Sequence, residues 1–355
     1  MSATGVARSP ERSRARSLRA PLITLYVFLI AANLAAWAWA LIAFRDHPAL
    51  LGAALLAYGF GLRHAVDADH IAAIDNVTRK LMQTGQRPLL VGFFFALGHS
   101  TVVALAAAAV AATATLIARR FETFHEIGSL VGSGVSVLFL FAIAAVNLAI
   151  LRSVWRTFRH VRRGGRYVED DFDLLLNSRG LLARLFRPLF RLITQSWHMF
   201  PLGFLFGLGF DTATEVSLLG IAASETAKGL SLWSMLVFPA LFAAGMTLVD
   251  TADGVLMLGA YQWALVNPLR KLYYNLVITS VSVVVAVLIG SVELLGLLAD
   301  HFGLAGGFWS SAQAVGAHLN EIGFALVALL VATWIGSVAV WRCKRFDAVE
   351  LERRS

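Results

Sequence analysis

The sequence predicts an all-α protein with several transmembrane helices, and three observations lead to this fold class. Of its 355 residues 58% are hydrophobic and only 15% are charged, whereas soluble domains carry about 25% charged residues. The mean hydropathy is correspondingly high, at +0.71. The apolar residues also fall into runs of about 20 or more, the length that crosses a bilayer as a helix. A polytopic membrane protein is the class that fits these values.

Eight apolar runs are long enough to span a membrane. A basic segment, 1–20, precedes the first run, and we interpret it as a disordered cytoplasmic tail because no small-residue cleavage site follows it. The membrane domain would cover 21–341, interrupted by a long basic loop at 152–195 and followed by a second tail at 342–355. The predicted spans 1 to 8 are 21–44, 50–76, 89–117, 127–151, 198–223, 232–260, 273–299 and 322–341.

Lysine and arginine side chains set the orientation of these spans, since they concentrate in cytoplasmic loops. With the N-terminus inside, the cytoplasmic segments hold 25 of the 30 basic side chains, the outside loops hold four, and Arg63 lies within a span. Those segments are 1–20, 77–88, 152–195, 261–272 and 342–355. Both termini are therefore predicted to be cytoplasmic, and the net charge of +8 reflects orientation rather than nucleic-acid binding.

The two halves of the chain resemble each other at an offset of 146 or 147 residues. The matches are Phe-Gly-Leu at 60–62 and 206–208, Phe-Ala-x-Gly at 95–98 and 242–245, and Val-Ser-Val at 135–137 and 281–283. They relate spans 2–4 to spans 5–7, and a unit of three spans enters the membrane in the opposite sense the second time. An inverted repeat of this kind is typical of secondary transporters.

Five of the nine side chains in the segment Arg-His-Ala-Val-Asp-Ala-Asp-His-Ile of span 2 can carry charge. Each charged residue at the centre of a membrane helix costs about 2.5–3.5 kcal/mol on insertion scales, so the cluster needs a ligand or a function. His64, Asp67 and His70 are spaced three apart and lie within an arc of about 120° on a continuous helix. Asp69 points elsewhere on that helix, and Arg63 lies one turn before Asp67, with which it can pair.

Histidine nitrogens mixed with carboxylate oxygens suit a divalent first-row metal ion such as nickel, cobalt, copper or zinc. The alternative is a buried ion-pair network, although two histidines within seven residues exceed what ion pairing needs. His99 of span 3, followed by Ser100 and Thr101, would add a ligand from a neighbouring helix. Taken alone, a single histidine in a membrane helix is often a satisfied core residue.

Carboxylates also occur in pairs in spans 5 and 6. Asp211 and Glu215 are one turn apart, with Thr212 between them, and Asp250 and Asp253 share a face in the same way. Like charges on one face repel unless a cation lies between them or one is protonated. We expect Asp211 and Glu215 to line the path of the cation or to accept protons. Asp250 and Asp253 could hold the ion, orient the histidines or relay protons.

Other polar residues of the spans are less informative. Asp75 and Asn76 lie near the inner end of span 2 and could form an exit gate, although a helix terminus is the favoured interpretation. Asn147 and Glu293 occupy equivalent positions in the repeat. The remaining histidines, which lie in loops or at span ends, are interpreted as surface residues; they are His47, His125, His160, His198, His301 and His318.

Four segments resemble the signature segments of the nickel/cobalt transporter family of bacterial and fungal permeases. They cover spans 2, 3, 5 and 6 in the order and spacing of that family, whose eight helices agree with the predicted count. The segments are Arg-His-Ala-Val-Asp-Ala-Asp-His-Ile (63–71), Leu-Gly-His-Ser-Thr-Val-Val (97–103), Leu-Gly-Phe-Asp-Thr-Ala-Thr-Glu (208–215) and Gly-Met-Thr-Leu-Val-Asp-Thr-Ala-Asp (245–253). The first of them is highly specific.

This resemblance implies high-affinity uptake of Ni²⁺, Co²⁺ or both across the bacterial cytoplasmic (inner) membrane. It implies that His64, Asp67, Asp69 and His70 are essential metal-site residues and that His99 helps to select the ion. The metal is then a substrate, no cofactor is expected, and the partners are metal ions and membrane lipid. Because the sequence contains no Walker motif, no ATPase is evident and the membrane potential would drive uptake.

Two alternatives use the same residues. A related metal exporter would reverse the transport, but such exporters commonly carry a histidine-rich loop, and 152–195 contains only His160. An intramembrane metalloenzyme would need a motif such as His-Glu-x-x-His, which the sequence lacks, and the single Cys343 excludes a cysteine metal cluster within one chain. The sequence thus predicts a permease and not an enzyme, and it does not decide whether nickel or cobalt is the preferred ion.

Overall fold

The computed structural model describes residues 10–113, 118–162, 193–208, 230–264 and 268–318, together with Leu218 and a few single residues between 325 and 335. All regular structure within these ranges is helical, as predicted. In chain order the helices are α1 (Pro10–Ala43), α2 (Leu50–His64), α3 (Ala68–Gln83), α4 (Val91–Thr113), α5 (Ala118–Arg162), a 3-10 turn (Ser196–His198), α6 (Met199–Gly207), α7 (Leu232–Met235), α8 (Val237–Ala264), α9 (Pro268–Phe302) and α10 (Gly307–Ala317).

Five helical stretches in the described part of the chain are long and apolar enough to cross a membrane. They are Leu18–Ala43, Val91–Ala109, Leu130–Ala149, Leu232–Gln262 and Thr279–Phe302. These stretches correspond to predicted spans 1, 3, 4, 6 and 7. Spans 5 and 8 lie largely outside the described residues, so the count of eight stays a prediction.

Span 2 is not the continuous helix that the sequence predicts. Helix α2 ends at His64, helix α3 begins at Ala68, and the residues between them form a turn. Asp67 takes an extended backbone conformation, and its carboxylate accepts a hydrogen bond of 2.8 Å from the main-chain N–H of Ala68. Aspartate is a favoured residue at this position because its oxygen satisfies an otherwise unpaired N–H at the helix start. The charged segment is therefore a junction between two short helices.

Helix α1 begins at Pro10, inside the segment 1–20 that the sequence indicates to be a disordered tail. Proline is well tolerated at the first helical position, since its missing N–H has no partner there in any helix. The arginine, alanine and leucine residues that follow have high helix propensity. Helix α5 likewise extends to Arg162, into the predicted loop, and the short helix α10 was not predicted.

Three helix pairs surround the junction: α2 packs on α8, α4 packs on α6, and α5 packs along α9. Gly61 lies so close to the backbone of Phe242 in α8 that a Cβ atom would overlap the carbonyl, and Gly98 lies equally close to the backbone of α6. Small residues allow such an approach between membrane helices. Because Gly61 lies one turn before His64 and Gly98 directly precedes His99, these crossings fix both histidines.

The outer faces of the structure are apolar. On α1 the side chains of Val27, Leu34 and Ile42 are more than half exposed, and on α9 the same holds for Val284 and Leu288. The polar side chains of the predicted site lie instead mostly between the helices. Large exposed apolar surfaces are unusual for a soluble monomer and are expected where lipid contacts the protein.

Candidate metal site

Three histidines from three helices meet in one buried cluster. His64 is the last residue of α2, His70 lies in the first turn of α3, and His99 lies in α4. Their exposed fractions are 2%, 1% and 3%. One ring nitrogen from each residue can be chosen so that all three lie within 4.8 Å of one another. We call these residues the imidazole cluster.

The spacing of the rings suits a shared ion. The Nε2 atoms of His64 and His99 are 2.9 Å apart. Two imidazole nitrogens that bind one metal ion at right angles, each about 2.1 Å from it, lie about 3 Å from each other. The ring of His70 completes the cluster, with its centroid 4.7 Å from that of His64 and 4.9 Å from that of His99.

Asp250 of α8 contacts the ring of His70. Its Oδ2 atom lies 3.4 Å from Nδ1 of His70, and its side chain is fully buried. Nε2 of His70 is buried and makes no hydrogen bond to any described residue. A carboxylate on one ring nitrogen fixes the tautomer and presents the other nitrogen as a metal ligand. A bound ion at Nε2 would also offset the free-energy cost of burying that atom without a partner.

Two phenylalanine rings form the walls of the cluster. Phe95 of α4 is perpendicular to His70 at a centroid distance of 4.8 Å, and Phe242 of α8 lies 5.6 Å from His64. Both are fully buried, so they keep water away from the ring nitrogens. Phe95 and Phe242 begin the two copies of the Phe-Ala-x-Gly repeat, which was the signal in the sequence that pointed to them.

The carboxylates beside the histidines shape the junction. Asp67 caps α3, and Oδ1 of the half-buried Asp69 accepts a hydrogen bond of 2.8 Å from the main-chain N–H of His70. The prediction that His64, Asp67 and His70 share one face of a continuous helix is wrong, because α2 ends at His64 and α3 begins only at Ala68. Arg63 is exposed and forms no ion pair with Asp67 in the described part of the chain, contrary to the predicted contact.

The other predicted residues take different positions. The hydroxyl of Ser100 donates to the sulfur of Met246 over 3.6 Å, and that of Thr101 donates to the carbonyl of Leu97 within its own helix at 2.7 Å. Asp253 is 9% exposed, and neither of its carboxylate oxygens has a hydrogen-bond partner among the described residues. Three predicted residues lie outside the described part of the chain: Asp211, Thr212 and Glu215.

Asp75 belongs to a second buried polar group, whose contacts the sequence analysis did not predict. Helix α3 continues past Asp75 to Gln83, so the favoured interpretation of this residue as a helix terminus is wrong. Its carboxylate accepts hydrogen bonds from the hydroxyl of Tyr261 in α8 at 2.5 Å and from that of Ser282 in α9 at 3.2 Å. Asp250 and Asp253 lie one turn apart on α8, and a Cβ atom on Gly254 of that helix would lie 3.5 Å from Ile74 of α3. A series of carboxylates on two facing helices therefore extends away from the imidazole cluster.

A buried arginine lies one turn further along α3. The guanidinium group of Arg79 donates to the side-chain carbonyl of Asn76 at 2.8 Å and to the hydroxyl of Thr279 at 2.6 Å. Asn147 of α5 donates to the same Asn76 oxygen at 2.6 Å. These contacts hold α3 against α5 and α9. The polar residues could have been noticed in the sequence, but nothing there indicated that they are in contact.

The C-terminal end of α3 is anchored to the segment before α6. Lys80 donates from Nζ to the carbonyl of Ile193 at 2.6 Å, and Gln86 donates to the carbonyl of Thr194 at 2.8 Å. Burial lowers the pKa of Lys80 to about 8. This end of α3 is the region that the positive charges predict to face the cytoplasm.

A family model described as high-affinity nickel-transport protein matches residues 50–340 of this chain. That range includes every helix from α2 to α10 and all members of the imidazole cluster. The chain belongs to this nickel-transport family. It is accordingly a transport protein rather than an enzyme, and its apolar helices make it a multi-pass membrane protein.

Individual relatives agree with the family assignment. The chain is 60% identical over 333 residues to the high-affinity nickel transport protein of Cupriavidus necator, covering 94% of this chain and 95% of that protein. It is 42% identical over 329 residues to a high-affinity nickel-transport protein of Helicobacter pylori, with 91% and 97% covered. It is 39% identical over 335 residues to a cobalt transport protein of Rhodococcus rhodochrous, with 92% of each covered.

No solved structure matches the chain. The relatives give no support to the exporter alternative, because their names describe nickel or cobalt transport proteins and a nickel incorporation protein.

Proposed function

We propose that this chain takes up Ni²⁺, Co²⁺ or both across the bacterial cytoplasmic membrane, and that His64, His70 and His99 bind the ion during its passage. The observation that carries the proposal is the convergence of three buried imidazoles whose nitrogens lie within 4.8 Å of one another. Imidazole nitrogen is a suitable ligand for nickel and related ions. The names of the relatives, which refer to nickel and cobalt, support the same substrates.

The predicted carboxylates have separate roles in this proposal. Asp67 and Asp69 belong to the metal site as the residues that fix the start of α3 and so bring His64 and His70 together. Asp250 orients His70 through Nδ1. The remaining predicted residues lie along the path of the ion or beside it: Arg63, Ser100, Thr101, Asp211, Thr212, Glu215 and Asp253.

The proposed architecture is an inverted repeat of spans 2–4 and 5–7 within eight spans, with both termini in the cytoplasm. The pairs α2 with α8 and α4 with α6 support it, since a two-fold relation between the units would exchange these pairs. Four glycines at the helix crossings are related by the same two-fold relation. Gly61 corresponds to Gly207, and Gly98 to Gly245; a Cβ atom on any of the four would meet the backbone of a helix from the other unit.

The proposed transport domain covers 21–341, with the cytoplasmic loop 152–195 and cytoplasmic tails at 1–20 and 342–355. The membrane potential favours inward movement of a cation by about 2.3 kcal/mol per charge for every 100 mV. A divalent ion gains twice that amount, so a secondary permease needs no ATPase subunit. The break between α2 and α3 supports this class, because transporter sites are commonly built where a membrane helix is discontinuous.

The test is accumulation of ⁶³Ni²⁺ in cells that express the wild type, His64→Ala or His301→Ala. His301 is exposed and lies outside the imidazole cluster, so it is a matched control. We expect uptake that excess Co²⁺ blocks and Mg²⁺ does not, loss of this uptake in His64→Ala, and wild-type uptake in His301→Ala. Equal uptake in His64→Ala and His301→Ala would contradict the site. Accumulation below that of cells without the protein would contradict the direction.

A further inference from the structure

Two buried carboxylates next to the imidazole cluster have no role in holding it together. Asp253 lies one turn after Asp250 on α8, is 9% exposed, and has two oxygens without a hydrogen-bond partner in the described ranges. Asp75 lies on the facing helix α3, since a Cβ atom on Gly254, which follows Asp253, would lie 3.5 Å from Cγ2 of Ile74, which precedes Asp75. A buried carboxylate that forms no hydrogen bond is costly, so a structural role does not account for Asp253.

We propose that Asp253 and Asp75 form a second site for a divalent cation, built from oxygen ligands, which receives the transported ion from the imidazole cluster before its release on the inner side. This inference rests on the proposed function. The class of ligand follows from the donors, because carboxylate and hydroxyl oxygens with water suit harder and more weakly held divalent ions than imidazole does.

Two hydrogen bonds orient the Asp75 carboxylate and leave it able to bind a cation. The hydroxyls of Tyr261 and Ser282 each donate to a different one of its two carboxylate oxygens. A carboxylate offers about four lone-pair sites, so these two bonds fix its orientation and leave acceptor capacity for a cation. A small cavity borders Asp75, Asn76 and Ser282, and apolar side chains of α3 and α9 line the rest of it.

The positive charges nearby do not neutralise this pair. Arg79 acts electrostatically on Asp75, but its hydrogen bonds go to the neutral side chains of Asn76 and Thr279. No ion pair within 4 Å joins Arg79 to Asp75 in the part of the chain that the structure describes. Asp75, Asp250 and Asp253 are all buried and form no ion pair with an arginine or lysine among the described residues, so a cation bound between Asp75 and Asp253 would offset their charge when they are ionised.

The position of the pair gives the direction of movement. Asp250 contacts His70 and lies one turn before Asp253 on α8, so it links the two sites. Asp75 lies beyond the imidazole cluster along α3, toward the end that Lys80 anchors. An ion that leaves three imidazoles for oxygen ligands exchanges strong ligands for weaker ones. Conduction through a series of sites requires that the last one release the ion readily.

The test uses purified full-length protein and Mn²⁺ as the probe, since Mn²⁺ prefers oxygen ligands. Bound Mn²⁺ is measured from the loss of the electron paramagnetic resonance signal of the free ion. We expect wild type and His64→Ala to bind Mn²⁺ equally well, and Asp253→Asn and Asp75→Asn to bind it at least tenfold more weakly. The control Asp300→Asn, an exposed carboxylate on α9, should behave as wild type.

A milder pair of variants covers the case in which a carboxylate variant does not fold. Ser282→Ala removes a hydroxyl bonded to Asp75, and Ser280→Ala removes one that donates only to the carbonyl of Leu276 in its own helix. We expect Ser282→Ala to weaken Mn²⁺ binding by a few-fold and Ser280→Ala to leave it unchanged. Retained Ni²⁺ binding at the imidazole cluster shows that each variant is folded.

Three results would overturn the second site. They are equal Mn²⁺ binding by Asp253→Asn and Asp300→Asn, loss of Mn²⁺ binding in His64→Ala, and absence of Mn²⁺ binding by the wild type. The last result would mean that the carboxylates hold protons.

Uptake measurements separate this inference from the proposed function. Wild-type cells that accumulate no ⁶³Ni²⁺ contradict the function, whereas normal accumulation by Asp253→Asn and Asp75→Asn contradicts only the second site.

Discussion

The imidazole cluster and the pair of Asp75 and Asp253 are both buried, yet they differ in their donor atoms and in their support. The three histidines offer nitrogen and lie against two phenylalanine rings, and one of them contacts a carboxylate. The acidic pair offers only oxygen, and one of its members has no hydrogen-bond partner within the described residues. Nitrogen ligands bind late first-row ions more strongly than oxygen ligands do. In the proposed mechanism, selection and release are therefore carried out by different residues.

The largest effect is expected from His99→Ala, which removes one member of the imidazole cluster and leaves the acidic pair intact. We expect Ni²⁺ affinity to fall by more than about 100-fold, since even outer-shell partners of a metal site contribute about 10–100-fold. The measurement is equilibrium dialysis of purified protein with ⁶³Ni²⁺. The exposed His47→Ala is the control, and a similar affinity in both variants would remove His99 from the site.

Asp250→Asn tests the link between the two groups. The amide keeps the size of the side chain but removes the charge that faces Nδ1 of His70. We expect the affinity for Ni²⁺ to fall by about 10–100-fold, which is the usual effect of losing a carboxylate that orients a ligating histidine. Dialysis with ⁶³Ni²⁺ measures it. Unchanged affinity would mean that Asp250 serves the acidic pair alone.

Gly61→Ala and Gly59→Ala form a matched pair that tests how α2 positions the imidazole cluster. A Cβ at Gly61 would overlap the backbone of Phe242, whereas one at Gly59 meets nothing within 4 Å. We expect Gly61→Ala to destabilise the protein by about 1–3 kcal/mol, as overpacking does, and to lower Ni²⁺ affinity. Gly59→Ala should do neither. Thermal unfolding in detergent, followed with and without Ni²⁺, measures both effects.

Acid should produce the smallest change, and it should act on the imidazole cluster. Neutral imidazole is the metal ligand, so protons compete with Ni²⁺ and affinity falls as the pH is lowered. We expect a decline of several-fold between pH 7.5 and pH 6. Dialysis across this range provides the measurement. Unchanged affinity over this range would contradict imidazole as the ligand.

Many residues of the candidate site could be selected from residue type and spacing. His64, His70 and His99 are costly in apolar segments, and Asp250 is costly for the same reason, so each had to have a partner. The break at 65–67 was missed because the residues on both sides follow a helical pattern, and the capping Asp67 stands among other carboxylates. For Asp75 a helix terminus was favoured over an exit gate, because a polar residue near the predicted end of a span fits a terminus.

The sequence by itself determined the fold class, the family, the predicted orientation and the kinds of candidate metal ligand, because composition, charge distribution and motifs are local properties of the chain. Only the tertiary structure decided which of these candidate ligands meet. His64 and His99 are 35 residues apart, His70 and Asp250 are 180 apart, and Asp75 and Ser282 are 207 apart. Their contacts depend on the angle and distance at which glycine-lined helices cross, and these follow from the packing of the whole structure rather than from any one segment.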